Sequence, residues 1–142
     1  MKETLIAVIL ILVMVCSASA TTKSRKKFKC SVCDTESTHT VINSTNAFGA
    51  ADLDLRPPEM QRSTMPFWVQ ECPECGYVSS SVADKSELDS ETLKSLLKSE
   101  DYLSCDGINF ISDLAKRFYR HSMIQLHEGN VRAAMFALLH AA

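Results

Sequence analysis

The chain has 142 residues, which is enough for one small domain or for a metal-stapled module with a helical extension. Its 15 basic and 17 acidic side chains give a formal net charge of −2, so the overall balance does not indicate a nucleic-acid or anionic-membrane partner. The hydrophobic content of 46% is raised by an apolar N-terminal run and does not by itself indicate a large core.

Residues 1–20 are typical of a secretory signal peptide. Residues 5–15 are all apolar, and Ala18 and Ala20 then form a small-residue cleavage pattern. The sequence therefore predicts export to the cell envelope or the outside of the cell, with cleavage near Ala20. The alternative is a membrane anchor formed by residues 5–22, which carry no charge and are just long enough to cross a bilayer. The basic residues that follow this segment also favour an anchor, because the positive-inside tendency would keep them in the cytoplasm.

The middle of the chain is predicted to contain strands and loops. Residues 21–27 are predicted to be a basic linker that is exposed to solvent. Residues 28–83 carry two cysteine pairs and all four prolines, and residues 38–43 alternate loosely, as in a strand. The β-rich runs 67–70 and 77–82 flank the second cysteine pair, which predicts a hairpin with that pair at its tip.

Residues 84–142 lack proline and show helical periodicity. Ser90 is predicted to cap a first helix that runs to about residue 98. A second is predicted to start at Asp106 or Asn109 and to end at Gly129, a residue that adopts the left-handed conformation without strain.

Asn130 is predicted to cap a third helix that is apolar along one side. We expect a partner protein, a second copy or another part of the chain to cover this stripe. Its members recur at helical spacing and are Val131, Ala134, Met135, Leu138, Leu139 and Ala142.

Two C-x-x-C turns carry the strongest chemical signal in the sequence. Cys30 and Cys33 form the first turn, and Cys72 and Cys75 form the second. Each turn offers two thiolates to one side of a metal, so the pair predicts a tetrahedral zinc site, with Gly76 suited to the tight second turn. Because four thiolates leave no open position, the predicted Zn²⁺ is structural, one ion per chain, and no enzymatic role is expected.

The sequence also allows two alternatives to a structural zinc site at these cysteines, which are disulfides and a redox sensor. Export favours oxidation, so disulfides within or between the turns are the alternative to zinc. Against a complete disulfide framework, an odd number of cysteines lies outside residues 1–20. A redox sensor that loses zinc on oxidation would use the same four thiols. Thioredoxin-type chemistry is not expected, since it needs one dithiol at the start of a helix.

A few further residues have the types found in functional sites. Asp52 and Asp54 share one face of an extended stretch, but local pairing with Arg56 is a better interpretation than a metal or ligand site. His39 is predicted to be a surface histidine and Cys105 a small buried apolar residue. No role is assigned to the other histidines.

The arrangement of motifs resembles an uncharacterised bacterial family. This family has a two-knuckle zinc ribbon followed by tetratricopeptide-like helices, and the similarity covers residues 28–83 well and the helices loosely. The resemblance implies this fold but no known activity. The residues that carry it are the four paired cysteines, Phe48-Gly49, Asp52-x-Asp54-x-Arg56, Trp68-Val69 and the Gly76-Tyr77 step.

The sequence thus predicts an α+β fold, in which a small zinc-ribbon β module over residues 28–83 precedes an α-helical hairpin or incomplete tetratricopeptide-like repeat over residues 84–142. The predicted function is a zinc-stabilised, non-enzymatic protein-interaction module that binds a partner, or a second copy, through its C-terminal helices. Besides the redox sensor, the alternative is a nucleic-acid-binding ribbon that would use residues 23–29, with Trp68 or Tyr77 for stacking. Nucleic acid is not expected for an exported protein, and no small-molecule substrate is indicated.

Overall fold

A computed structural model of the protein describes residues 21–105 and 108–142. The fold is α+β, as predicted, with two small antiparallel sheets followed by helices. The predicted signal peptide, residues 1–20, and the candidate helix start Asp106 lie outside the described residues. Within the described ranges, no helix combines the length and the apolar character needed to cross a membrane.

The first sheet is a hairpin of β1 (Thr22–Lys29) and β2 (Glu36–Ser44). Residues 21–27 therefore lie almost entirely in a strand, and the predicted basic linker is corrected at this point. The strand gave little signal because only Ser24 and Phe28 of β1 are partly buried. Strand β1 forms because it pairs with β2, and β2 supplies the β-branched residues that favour extended backbone.

Residues 45–58 are irregular and lead into a short helix, α1 (Glu59–Arg62), and a single 3₁₀ turn (Met65–Phe67). The second sheet pairs β3 (Gln70–Glu71) with β4 (Val78–Ser79), so the predicted hairpin is present but shorter than expected. The 3₁₀ turn replaces the start of the predicted strand, and Pro66 near its beginning suits a helical start better than a strand.

Four helices follow: α2 (Ser90–Lys98), α3 (Glu100–Ser104), α4 (Asp113–His127) and α5 (Val131–Ala141). The cap of α2 is Asp89, one residue before the predicted Ser90, and its side chain accepts hydrogen bonds from the N–H groups of Glu91 and Thr92.

The start of α4 also differs from the expectation of Asp106 or Asn109. Its cap is Ser112, whose Oγ accepts a hydrogen bond from the Ala115 N–H at 3.1 Å. The turn into α5 is as predicted. Gly129 has a φ of +77°, and the Asn130 side chain accepts a hydrogen bond from the Ala133 N–H at 3.3 Å.

One apolar core joins the cysteine turns to the helices. Its members come from both sides of residue 83, where the sequence suggested that the β module ends. A smaller cluster of Val69, Val78 and Phe118 lies beside it. The main cluster consists of Cys30, Cys72, Tyr77, Val82, Leu93, Leu96, Leu97, Tyr102 and Ile124.

Helix α5 packs beside α4 through its small residues. Ala134 and Ala137 are its buried residues, whereas Val131, Met135 and Leu138 are 65%, 47% and 46% exposed. Of the apolar stripe predicted for this helix, Ala134 is therefore buried, while its large side chains are left largely uncovered by the described residues.

Candidate metal centre

The two cysteine turns meet at one end of the hairpins. Cys30 and Cys33 lie in the connection between β1 and β2, and Cys72 and Cys75 lie in the connection between β3 and β4. All four Sγ atoms are within 4.8 Å of one another. The structure thus brings together the four residues that the sequence selected.

The sulfur separations fit a metal better than disulfides. Cys30 Sγ is 3.7 Å from Cys75 Sγ, and Cys33 Sγ is 3.5 Å from Cys72 Sγ. Zinc–sulfur bonds of about 2.3 Å in a tetrahedron place neighbouring sulfurs about 3.8 Å apart, whereas a disulfide needs about 2.05 Å. The cysteines of the described residues are all free thiols. One metal ion could be held here, and the donor set is consistent with zinc.

The first turn is fixed by backbone hydrogen bonds. The Cys30 N–H donates to the Thr35 carbonyl at 2.9 Å, and the Asp34 N–H donates to the Cys30 carbonyl at 3.0 Å. Asp34 has a φ of +61°, and its carboxylate forms an exposed ion pair with Lys29 at 3.0 Å. An aspartate tolerates this left-handed conformation better than most residues.

The second turn repeats the same pattern. The Cys72 N–H donates to the Tyr77 carbonyl at 2.8 Å, and the Gly76 N–H donates to the Cys72 carbonyl at 3.0 Å. Gly76 has a φ of +70°, so it holds the place that Asp34 holds in the first turn. Because the two backbones match, each turn presents its pair of sulfurs in the same way.

The four thiols differ in their surroundings. Cys30 and Cys72 are each 1% exposed, whereas Cys33 and Cys75 are partly exposed. Burial raises the pKa of the Cys30 and Cys75 thiols. Burial acts in the same direction on Cys33, but hydrogen bonds from Thr35 and from neighbouring thiols outweigh it and lower the pKa of Cys33 to about 7. The thiolate form, which binds metal, is therefore reached at a lower pH at Cys33 than at Cys30 or Cys75.

The partly exposed side of the cluster faces a groove of about 610 Å³. Solvent and small molecules can reach the two outer sulfurs from this side, while the two inner sulfurs are closed off. The groove is lined by Val32, Cys33, Glu74, Cys75, Lys94, Leu97, Lys98 and Leu103.

Two residues that the sequence did not single out connect the second turn to the helices. Tyr102 is fully buried, and its hydroxyl donates to the Gly76 carbonyl at 2.7 Å. Arg120 donates to Glu71 Oε1 at 2.8 Å and to the carbonyls of Tyr102 and Leu103 at 3.0 Å each. No local pattern marks these residues, because their partners are distant along the chain.

The acidic stretch is stabilised by local ion pairs. Asp54 Oδ2 lies 2.6 Å from Arg56 Nε, as predicted, but Asp52 pairs instead with Arg62 at 3.2 Å. Arg62 belongs to α1, which the irregular segment brings back to Asp52. Both aspartates thus have a cationic partner, which favours the interpretation of local pairing.

His39 and Cys105 do not join the metal cluster. His39 Nε2 lies 2.7 Å from Ser37 Oγ on the same strand, so the ring has a local partner. Cys105 is 2% exposed, as expected for a small buried residue, and ends α3 with a φ of +51°.

The aromatic residues named for nucleic-acid stacking are held inside the fold. Tyr77 is 2% exposed and its hydroxyl donates to the Asp84 carbonyl at 3.2 Å. Trp68 donates through Nε1 to Thr64 Oγ1 at 2.8 Å and packs edge-on against His140. Tyr77 is therefore unable to stack on a base, and the indole of Trp68 is already engaged.

Comparisons with known proteins give no relative. No protein-family model matches the chain, and no match is found among curated proteins or among solved structures. The site is thus defined by its own geometry.

Proposed function

We propose that the protein is a zinc-stabilised, non-enzymatic protein-interaction module. The observation that carries the proposal is the cluster of four thiols within 4.8 Å of one another, presented by two turns with matching backbone. The same proposal includes three further statements: the β part is a zinc ribbon, the helices are tetratricopeptide-like, and the chain is exported.

The position of the cluster favours a structural metal over a catalytic one. Four thiolates fill a tetrahedral coordination shell and leave no position for a substrate or water. Cys30 and Cys72 also belong to the main apolar core, where they pack with Leu93, Leu96 and Leu97. A metal at this point would join the turns that form one wall of the core, and metal binding would then contribute directly to folding.

The exposed stripe of α5 supports the interaction part of the proposal. Val131, Met135, Leu138 and Leu139 are between 38% and 65% exposed, although each would favour an apolar environment. Burying one leucine side chain is worth roughly 2 kcal/mol, so a protein partner or a second copy that covers this stripe would be bound largely by the hydrophobic effect.

Metal content tests the first part of the proposal. Elemental analysis of the gently purified protein is expected to give one zinc per chain, and Cys33→Ser or Cys72→Ser should abolish it. Cys105→Ser is the matched control, since it removes a buried thiol outside the cluster and should leave the zinc content unchanged. A metal-free protein with four oxidised cysteines would overturn the proposal in favour of disulfides.

Association tests the second part. Leu138→Asp should lower self-association, or binding to a partner that copurifies, as measured by light scattering and analytical ultracentrifugation. Leu53→Asp is the matched control, because Leu53 is fully exposed and lies away from α5 in the irregular segment. A stable monomer without partners, in which neither substitution changes the readout, would remove the support for an interaction module.

A redox sensor is the second candidate, and the partial exposure of Cys33 and Cys75 favours it. Both thiols line the groove, where a peroxide could reach them. A sensor should lose zinc and form disulfides under mild peroxide, and should recover both after reduction. If zinc and free thiols persist under the same treatment, the metal is purely structural.

A further inference from the structure

Strand β1 places four cations on one face of the first hairpin. Side chains of a strand alternate between its two faces, so Lys23, Arg25, Lys27 and Lys29 point to the same side, each about 7 Å from the next. All four are exposed. We call these four residues the basic face.

The opposite face of the hairpin is turned towards the protein. Ser24 and Phe28 of β1 are partly buried, as are Ser37, His39 and Val41 of β2. Phe28 also packs against the main core. On the side of the basic face, Thr40 and Ile42 are partly buried as well, but all four cations of β1 remain exposed to solvent.

Little negative charge lies next to the basic face. Its cross-strand neighbours are Glu36, Thr38, Thr40 and Ile42, which contribute a single carboxylate at the end near Lys29. Lys29 also pairs with Asp34.

The other cations of the basic face have no anionic partner. Lys23 lies over the Phe67 ring, 4.8 Å from its centroid. Arg25 and Lys27 have no partner among the described residues, which leaves their charge available for an external anion.

We propose that the basic face binds the surface of an anionic lipid membrane. Cations in an open row match a layer of lipid phosphates, and each contributes to binding without a preformed pocket. Single-stranded nucleic acid would require aromatic rings on which bases could stack, but the β2 neighbours include none, and Phe67 beside the basic face is half-buried with Lys23 over its ring.

The position of β1 in the chain agrees with this partner. Only residues 16–21 separate the apolar run of residues 5–15 from the first residue of β1. Six extended residues span roughly 20 Å at most. If the apolar run stays on the chain, as in the membrane-anchor alternative to a cleaved signal peptide, the basic face is held close to the lipid headgroups. The proposal does not depend on the metal or on α5.

Vesicle binding tests the proposal with the protein as it is purified, after intact mass has defined its N-terminus. Phosphatidylcholine vesicles with and without phosphatidylglycerol are compared by co-sedimentation. We expect phosphatidylglycerol to increase binding and ~0.5 M salt to abolish that increase, because the attraction is screened. Arg25→Thr/Lys27→Thr should lower the phosphatidylglycerol-dependent partition coefficient roughly 30-fold, at about 1 kcal/mol for each cation.

The matched control is Lys85→Gln/Arg132→Gln, which removes two exposed cations elsewhere and should leave vesicle binding nearly unchanged. Unchanged metal content and melting temperature will show that the threonine variant is folded. Equal binding by both double variants would overturn the proposal. The wild-type protein alone can also overturn the proposal, if its vesicle binding depends neither on phosphatidylglycerol nor on salt. Salt-sensitive binding to a single-stranded oligonucleotide without vesicle binding would assign the basic face to nucleic acid instead.

Discussion

Helices α2 and α5 both carry an apolar stripe, but they use it in opposite ways. Leu93, Leu96 and Leu97 of α2 are between 5% and 8% exposed, because α2 lies against the core that contains the cysteine turns. In α5 the alanines face inward, while Leu138 and other large side chains remain at the surface.

The difference between α2 and α5 shows that the sequence pattern of a helix does not decide how much of its apolar stripe is buried. The elements that pack against the helix decide it. The buried residues of α5 are the alanines Ala134 and Ala137, whose small side chains allow close approach between α4 and α5. Helix α2 instead faces turns whose sulfurs and apolar atoms accept leucine side chains. The stability of α2 should thus depend on the metal centre, whereas α5 should depend on its packing with α4.

Removal of the metal should give the largest difference in stability between α2 and α5. Binding of a structural zinc contributes about 10–16 kcal/mol in small zinc domains, so a chelator should unfold the part of the protein that depends on it. Hydrogen exchange should rise first in α2 and α3, and less in α4 and α5. Equal exchange in all four helices would show that the whole helical region depends equally on the metal.

Truncation of one leucine in each helix gives the next largest contrast. Leu97→Ala should lower the free energy of unfolding by about 2–5 kcal/mol, because it leaves a cavity beside the cysteine turns. Leu138→Ala should change it by less than ~0.5 kcal/mol in the monomer, since this side chain is already half exposed. Chemical denaturation of the metal-loaded protein measures both values, and similar losses would contradict the contrast.

Replacement of Arg120 tests the polar link between the second turn and the helices. Arg120→Met leaves Glu71 and two carbonyls without their donor and should cost about 1–3 kcal/mol. Arg56→Met is the control, because its ion pair with Asp54 is exposed and should contribute at most about 1 kcal/mol. If both variants lose the same stability in denaturation experiments, Arg120 does not support the turn.

The smallest effects are expected at the left-handed positions of the two turns. Gly76→Ala should cost about 1–2 kcal/mol from backbone strain alone, because an added Cβ would meet no atom within 4 Å. Asp34→Gly should raise stability by less than ~1 kcal/mol. Thermal melts with a constant zinc content measure both changes, and a stabilising Gly76→Ala would show that this turn is not strained.

The sequence predicts best those features whose causes are local. Gly129 and Asn130 determine the turn into α5 through their own backbone and side chain, and both were recognised. The cysteine turns likewise contain their own turn residues. The prediction of four clustered cysteines therefore needed only the assumption that one metal joins the two turns.

Features that depend on distant residues were missed. Strand β1 is formed by pairing with β2, so its cations alone indicated a linker. Asp106 and Asn109 were the predicted starts of α4, whereas its cap is Ser112, which was not among the candidates. The apolar stripe of α5 was predicted, but which of its residues α4 would bury depends on tertiary packing and could not be read from the pattern.

The sulfurs of Cys33 and Cys72 are 3.5 Å apart in space but 39 positions apart along the chain. At about 5–20 residues per second, the ribosome needs several seconds to make the second turn after the first. A local hairpin such as β1–β2 forms within about 1–10 μs, although alone it is only marginally stable. Each new chain thus passes through several seconds in which only the first of the two cysteine turns of the candidate metal site has been synthesised.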